Sequence, residues 1–151
     1  MTRCFWLLLT VALTGCSVTP PQGAVSFVLN QQATDKGNAA PGKSYDLPTA
    51  SLRLEGAGGA RKLIISGGGG ENRISIEAAA SDSDTLASIT GKSLPVTAGT
   101  VEVAHKSLQF ATGTVTLQAV NGKLGRGNFN ARVKDQQPPW EAIGNFEALT
   151  P

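Results

Sequence analysis

Beyond residue 20, apolar side chains recur at every second position, and no window sustains the 3.6-residue period of an amphipathic helix. Val25, Phe27 and Leu29 alternate with Ser26 and Val28, Leu52 and Leu54 flank Arg53, and Lys62–Ser66 is a short apolar run. Ile74, Ile76 and Ala78 alternate with Arg73, Ser75 and Glu77 in the clearest half-buried strand of the chain. Val101 and Val103 flank Glu102. Further on, Val115, Leu117 and Ala119 share a face, as do Phe129, Ala131 and Val133, and then Trp140, Ala142, Phe146 and Ala148. A pleated strand points successive side chains to opposite faces, so each segment predicts a strand with one side in a core and one in water. Spaced roughly 10–17 residues apart and joined by Gly- and Pro-bearing turns, they predict an all-β fold: an antiparallel β-sandwich or small β-barrel of about eight or nine strands. Asp82–Ser88 has room for one helical turn.

Between these segments the punctuation is specific. Gly67–Gly70 is expected to break the strand before it and form a flexible hairpin loop ahead of Asn72. Asn121-Gly122 is expected at the centre of a type I′ turn, where both residues need φ > 0, and Asp135–Pro139 forms the next turn. Two short repeats stand out. Gly127-Asn-Phe-Asn-Ala131 recurs as Gly144-Asn-Phe-Glu-Ala148, and Gly99-Thr-Val-Glu-Val103 as Gly113-Thr-Val-Thr-Leu117. Matching strand starts predict neighbouring strands in similar surroundings, with Phe129 and Phe146 filling equivalent layers of the core.

The first residues follow another pattern: Arg3, then an apolar run from Cys4 to Leu13, which reads as a signal peptide too short to span a bilayer. It ends in Leu13-Thr14-Gly15-Cys16, which resembles the lipobox of bacterial lipoproteins. That resemblance implies diacylglyceryl transfer to the Cys16 thiol, cleavage before Cys16 and acylation of the new amine. Two or three acyl chains anchor a protein stably, at about 0.8 kcal/mol per buried CH₂. Ser17, where no aspartate stands, further implies sorting to the outer membrane. The organisation expected is a signal peptide over 1–15, a lipidated Cys16 with a Pro-bearing tether to residue 23, and one β-domain over 24–151. Removing fifteen residues from 151 leaves 136, enough for a single core. Because Cys4 leaves and Cys16 is acylated, the domain must hold together without a disulfide. Together with the lipobox, residues 99–149 resemble the small β-domains of uncharacterised bacterial lipoproteins, a likeness that implies no activity.

Charge adds mainly exclusions. Thirteen basic and eleven acidic residues, with no run of either sign, leave no footprint for nucleic acid. Gly37–Ser44 satisfies the G-x-x-x-x-G-K-[ST] phosphate-loop pattern, but Pro48 would interrupt the helix that such a loop must open, and no α/β alternation surrounds it. Nucleotide binding is not expected, and Lys43 is read as a solvated residue of a Gly-Lys turn. Four glycines followed by Glu71 and Asn72 could offer amides to an anion, although a hairpin loop explains them equally well. His105 is the single histidine, without the partners a metal or a serine nucleophile would need. Asp82 and Asp84 lack the rest of a calcium loop, and Glu102, Glu141 and Glu147 are read as outward charges on strands. No catalytic residue, metal or cofactor is expected. The leading functional expectation is a non-catalytic outer-membrane lipoprotein that acts through a protein partner in the cell envelope. The alternatives are a periplasmic immunity or inhibitor lipoprotein against a toxin or cell-wall enzyme, and a carrier of a small apolar ligand should the sheet close around a cavity.

Overall fold

The computed structural model describes residues 23–31, 42–136 and 138–151. Nine strands and one helical turn follow in chain order: β1 (Ala24–Gln31), β2 (Lys43–Leu47), β3 (Thr49–Glu55), β4 (Lys62–Gly69), β5 (Asn72–Ala79), α1 (Leu86–Ile89), β6 (Ser93–Val103), β7 (Lys106–Asn121), β8 (Leu124–Val133) and β9 (Trp140–Leu149). From β3 to β9 each strand pairs with the next in sequence, and a parallel bridge between Ser51 and Leu149 brings β9 back to β3. Seven strands thus close a barrel. The β1–β2 hairpin is inserted at the seam: β1 runs antiparallel along β9 from Ala24↔Glu147 to Gln31↔Trp140, and β2 lies on its far side. Only Pro48 separates β2 from β3, so the two are halves of one bent strand, as proline's missing N–H favours where a ladder is interrupted. Of the two architectures consistent with the alternation, the barrel is the one formed.

Closure works because the alternating apolar side chains all point inward. Val25, Phe27, Leu29, Leu52, Leu63, Ile65, Ile74, Ile76, Ala78, Val101, Val103, Val115, Leu117, Phe129, Ala131, Ala142, Phe146 and Ala148 are buried, and among the described residues no polar or charged one is. The outward faces of β8 and β9 carry Arg126, Asn128, Asn130, Arg132, Asn145 and Glu147. Polar outside and apolar inside is the reverse of a membrane-spanning barrel.

The GNFxA repeat has a different geometry from the expected shared layer. Because β8 and β9 are antiparallel, Phe129 stands opposite Gly144 and Gly127 opposite Phe146. A Cβ on Gly127 would lie 2.5 Å from the Phe146 ring, and one on Gly144 would lie 2.8 Å from that of Phe129. Each phenylalanine therefore fills the space left by the other strand's glycine, in two successive layers. The second repeat marks equivalent irregularities on adjacent strands. Gly99 and Gly113 have φ of 154° and 143°, where their missing Cβ would meet the carbonyl oxygens of Ser75 and Asn130, and the ladder slips register near both.

Two turns depart from expectation. Gly67–Gly69 continue β4, paired with β3 and β5, and only Gly70 and Glu71 form the turn. They are small because β4 is overlaid closely: a Cβ on Gly67 would meet Val25 and one on Gly69 would meet Pro48. Asn121 is the last residue of β7 and pairs with Leu124, so the hairpin centre is Gly122-Lys123. Only Gly122 there has positive φ, 58°, the II′ rather than the I′ pattern.

Alternate connections emerge at opposite ends of the barrel. The chain enters at Ala24 at the end that also carries the β3–β4 loop, α1 and the Gly122-Lys123 turn. The Gly70-Glu71 and Ala104-His105 turns and the connection beginning Lys134-Asp135 lie at the other. The first end is sealed. Thr85 caps α1, its hydroxyl accepting from the Ser88 N–H while its own N–H donates to the Ser88 hydroxyl, and Ile89 is fully buried in the core.

Candidate functional site

Among the described residues the second end is open. Leu29 at the end of β1, Tyr45 on β2, Val103 and Ala104 on the β6–β7 hairpin, Leu108 on β7 and Trp140 at the start of β9 surround a cavity of about 320 Å³, with Lys43, Lys106 and Gln136 at its rim. Alternation explains its lining. The inward positions of each strand continue to the barrel's end, where no layer of core lies above them, so Trp140, Tyr45 and Leu108 are only half-buried and cover the core like a collar. Phe27 stacks on Tyr45 at a ring separation of 5.2 Å, and Phe129 lies 6.4 Å from Phe27, so an aromatic column links the mouth to the GNFxA layers.

Its polar groups are cationic. The Lys43 ammonium lies 5.4 Å from the centre of the Tyr45 ring. Lys43 is the first residue of β2 rather than part of a turn, and the strand occupies the place where a phosphate loop would open a helix; residues 37–41 of that pattern lie outside the described residues. Among the described residues, neither Lys43 nor Lys106 has a carboxylate partner. Of the acidic groups nearby, Glu71 lies 3.5 Å from His105 and lines a neighbouring depression with Glu102 and Lys106, and Asp135 lies 3.9 Å from Lys134. The rim is also strained. Ala104 and His105 take φ of 48° and 62°, a left-handed pair that costs side-chain-bearing residues about 1–2 kcal/mol each.

Of the other residues singled out in the sequence, Glu71, Glu102 and His105 line one surface depression together with Lys106, and the rest do not converge. His105 is an exposed turn residue. Asp82 accepts from the Gly59 N–H and Asp84 from the Ser81 N–H, so both brace the loops around α1. Glu102 stands on β6 and Glu141 and Glu147 at the two ends of β9, six residues or about 20 Å apart, and Glu147 pairs with Arg126 at 2.6 Å. No group of three His, Cys, Asp or Glu side chains able to hold a metal ion occurs among the described residues, and none of their helices is long and apolar enough to cross a membrane. Cys16 and the segment before it lie outside the described residues. Sequence reasoning did not assemble the mouth, whose members come from five strands. The signals available were Trp140 and Tyr45 standing at strand ends, where a large aromatic side chain lies at the margin of a core.

A second surface is the outer wall across β2, β1, β9, β8 and β7. In register it reads Thr116, Asn128, Asn145, Ser26 and Asp46, and alongside, Thr114, Asn130, Ile143, Val28 and Ser44. Ile143 is 42% exposed at its centre, the one large apolar side chain so exposed among the described residues. Comparison with known proteins finds no matching family model, no matching characterised protein and no matching solved structure.

Proposed function

We propose that this protein is a non-catalytic binding module of the bacterial cell envelope, held to the outer membrane by acyl chains on Cys16, whose open barrel end takes a small apolar ligand. The observation that carries the reading is the aromatic-collared cavity that the described residues leave at one end of a barrel whose other end is sealed. Small-molecule sites are concave, mostly apolar and supplied with a few polar groups, and mouths of β-barrels are among their preferred places. At 320 Å³ the cavity stands at the lower end of the usual range of about 300–1,000 Å³. A carrier reading therefore has more support from the geometry than an inhibitor reading. Action through a protein partner retains one observation in its favour, the exposed Ile143 within a wall of amides and hydroxyls edged by Asp46.

The test is direct binding. With Trp6 replaced by phenylalanine, Trp140 is the only tryptophan of the full chain and lies in the collar. Titration with decanol and with decanoate, each below the concentration at which it aggregates, should shift Trp140 emission and saturate for at least one probe. Leu108→Trp, read with Trp140 replaced by phenylalanine and a tritiated probe, should fill the cavity and abolish binding. If neither probe binds, the ligand reading is wrong and the outer wall becomes the surface to pursue.

A further inference from the structure

Resting on that reading, we propose that the mouth selects an anionic ligand: a free, single-chain carboxylate whose head sits between Lys43 and Lys106 and whose chain lies in the cavity against Trp140, Tyr45 and Leu108.

Three observations converge on this occupant. First, the two rim cations have no carboxylate partner among the described residues, while the neighbouring acidic groups are turned to His105 and Lys134. Among the described residues, a carboxylate entering the cavity would meet two lining cations and no lining carboxylate, Glu71 and Glu102 lying with Lys106 on a neighbouring depression, at the margin of an apolar enclosure where charge–charge attraction is screened less than on an open surface. Second, Lys43 is held in place. Its ammonium stays over the Tyr45 ring, and Tyr45 is itself stacked on buried Phe27, so part of the entropy of fixing a lysine is already spent before a ligand arrives. Third, Lys106 is delivered by the strained Ala104-His105 turn. That turn brings β7 back sharply against β6, with Val103 paired to Lys106, and so places Ala104 and Lys106 on the lip of the cavity instead of on a longer loop beyond it.

Volume narrows the chain. At about 30 Å³ per water-sized group, the cavity encloses roughly ten heavy atoms. A medium-length acyl chain fits, whereas a two-chain lipid or a sterol does not. The end at which the chain enters, Ala24, lies across the barrel from the mouth, so a tether beginning at Cys16 holds the sealed end nearer its membrane. This favours a monomeric carboxylate taken from water over a headgroup read from the anchoring bilayer.

The experiment compares decanoate, decanol and decyltrimethylammonium on the full chain carrying Trp6→Phe, by Trp140 fluorescence, with flotation on phosphatidylglycerol vesicles as a separate arm using Cys16→Ser protein. The expected result is decanoate binding at least ten-fold tighter than decanol, no binding of decyltrimethylammonium, and flotation that the two lysine substitutions leave unchanged. Lys43→Met and Lys106→Met should each weaken decanoate about three-fold and together about ten-fold, and so close the gap between decanoate and decanol. Both lysines are exposed rim residues, so the variants should keep the wild-type circular dichroism spectrum. Equal affinity for decanoate and decanol, or a decanoate affinity indifferent to both lysines, overturns the anionic selection while leaving the apolar-ligand reading intact. Vesicle flotation lost in the double lysine variant overturns the free-ligand source in favour of a membrane headgroup. No binding by decanoate or decanol removes both readings.

Discussion

Replacing Phe146 by alanine tests the register on which the whole barrel rests. Phe146 is 3% exposed and stands opposite Gly127, which has no side chain to move into a vacated space. A phenylalanine buries about 150–250 Å², which at about 25 cal/mol per Å² gives roughly 4–6 kcal/mol. Compaction of the unfolded chain lowers such figures by about 10–40%, while a cavity that cannot collapse adds to the loss. The net expectation is about 3–5 kcal/mol, at the upper part of that range because a glycine and a barrel wall surround the site. Asn145→Ala, one residue away on the outer face, should cost less than about 1 kcal/mol. In urea, with a slope of about 1.5 kcal/mol per molar, Phe146→Ala lowers the unfolding midpoint by roughly 2–3 M and Asn145→Ala by under about 0.7 M. Either circular dichroism or Trp140 emission in the Trp6→Phe chain reads the transition. Midpoints for the two variants that agree within about 0.3 M would mean that Phe146 does not face the core, and the complementary Phe–Gly pairing of β8 and β9 would fall with it.

Two further perturbations address the turn and the anchor. Ala104→Asn with His105→Gly places in the Ala104-His105 turn the residue types that adopt positive φ most readily, and should raise stability by about 1–2 kcal/mol in the same urea assay; an unchanged or lower midpoint would refute the strain. Cys16→Ser should leave the precursor uncut and free of acyl chains, whereas a membrane-bound, normally cleaved variant would refute the lipid anchor.

Much of this architecture is legible in the sequence because burial of one strand face imposes a period of two, and Val25, Ile74, Ile76, Phe129 and Phe146 are all inside as that period requires. Closure is not legible, since a sandwich and a barrel impose the same alternation, and what separates them is a seam formed by β1, β3 and β9, closed by Ser51 and Leu149 across about a hundred residues. Local composition misleads at Gly67–Gly69, where glycine reports close overlay by Val25 and Pro48 rather than a loop. At the end of β7 a register slip between Leu117 and Ala119 breaks the period, so Ala119 is only half-buried and Val120 packs against the core instead. The candidate site escapes for a related reason. Lys43 and Lys106 lie 63 positions apart, and nothing in either local pattern distinguishes a rim lysine from any other solvated one.

The proposed tether and the proposed mouth fall at opposite ends of the barrel. Ser17–Gly23 spans at most about 25 Å when extended, at roughly 3.5 Å per residue. Were Cys16 the anchor, the tether would join the domain at the sealed end, where Ile89 closes the core. The mouth lies beyond it by the length of β1, eight residues or about 26 Å along the strand and less along a tilted barrel axis. A cavity that opened toward its own membrane would compete with the bilayer for every apolar ligand, because transfer from lipid to a similarly apolar site yields little free energy. One that opens away from it meets ligands in water, where burying each CH₂ contributes about 0.8 kcal/mol. For a chain of about ten atoms that term alone suffices for measurable affinity without deep burial, so a shallow mouth over a filled core is adequate to the proposed role. The rim lysines then act on selectivity rather than on gross affinity, which is why their removal should separate decanoate from decanol instead of abolishing both.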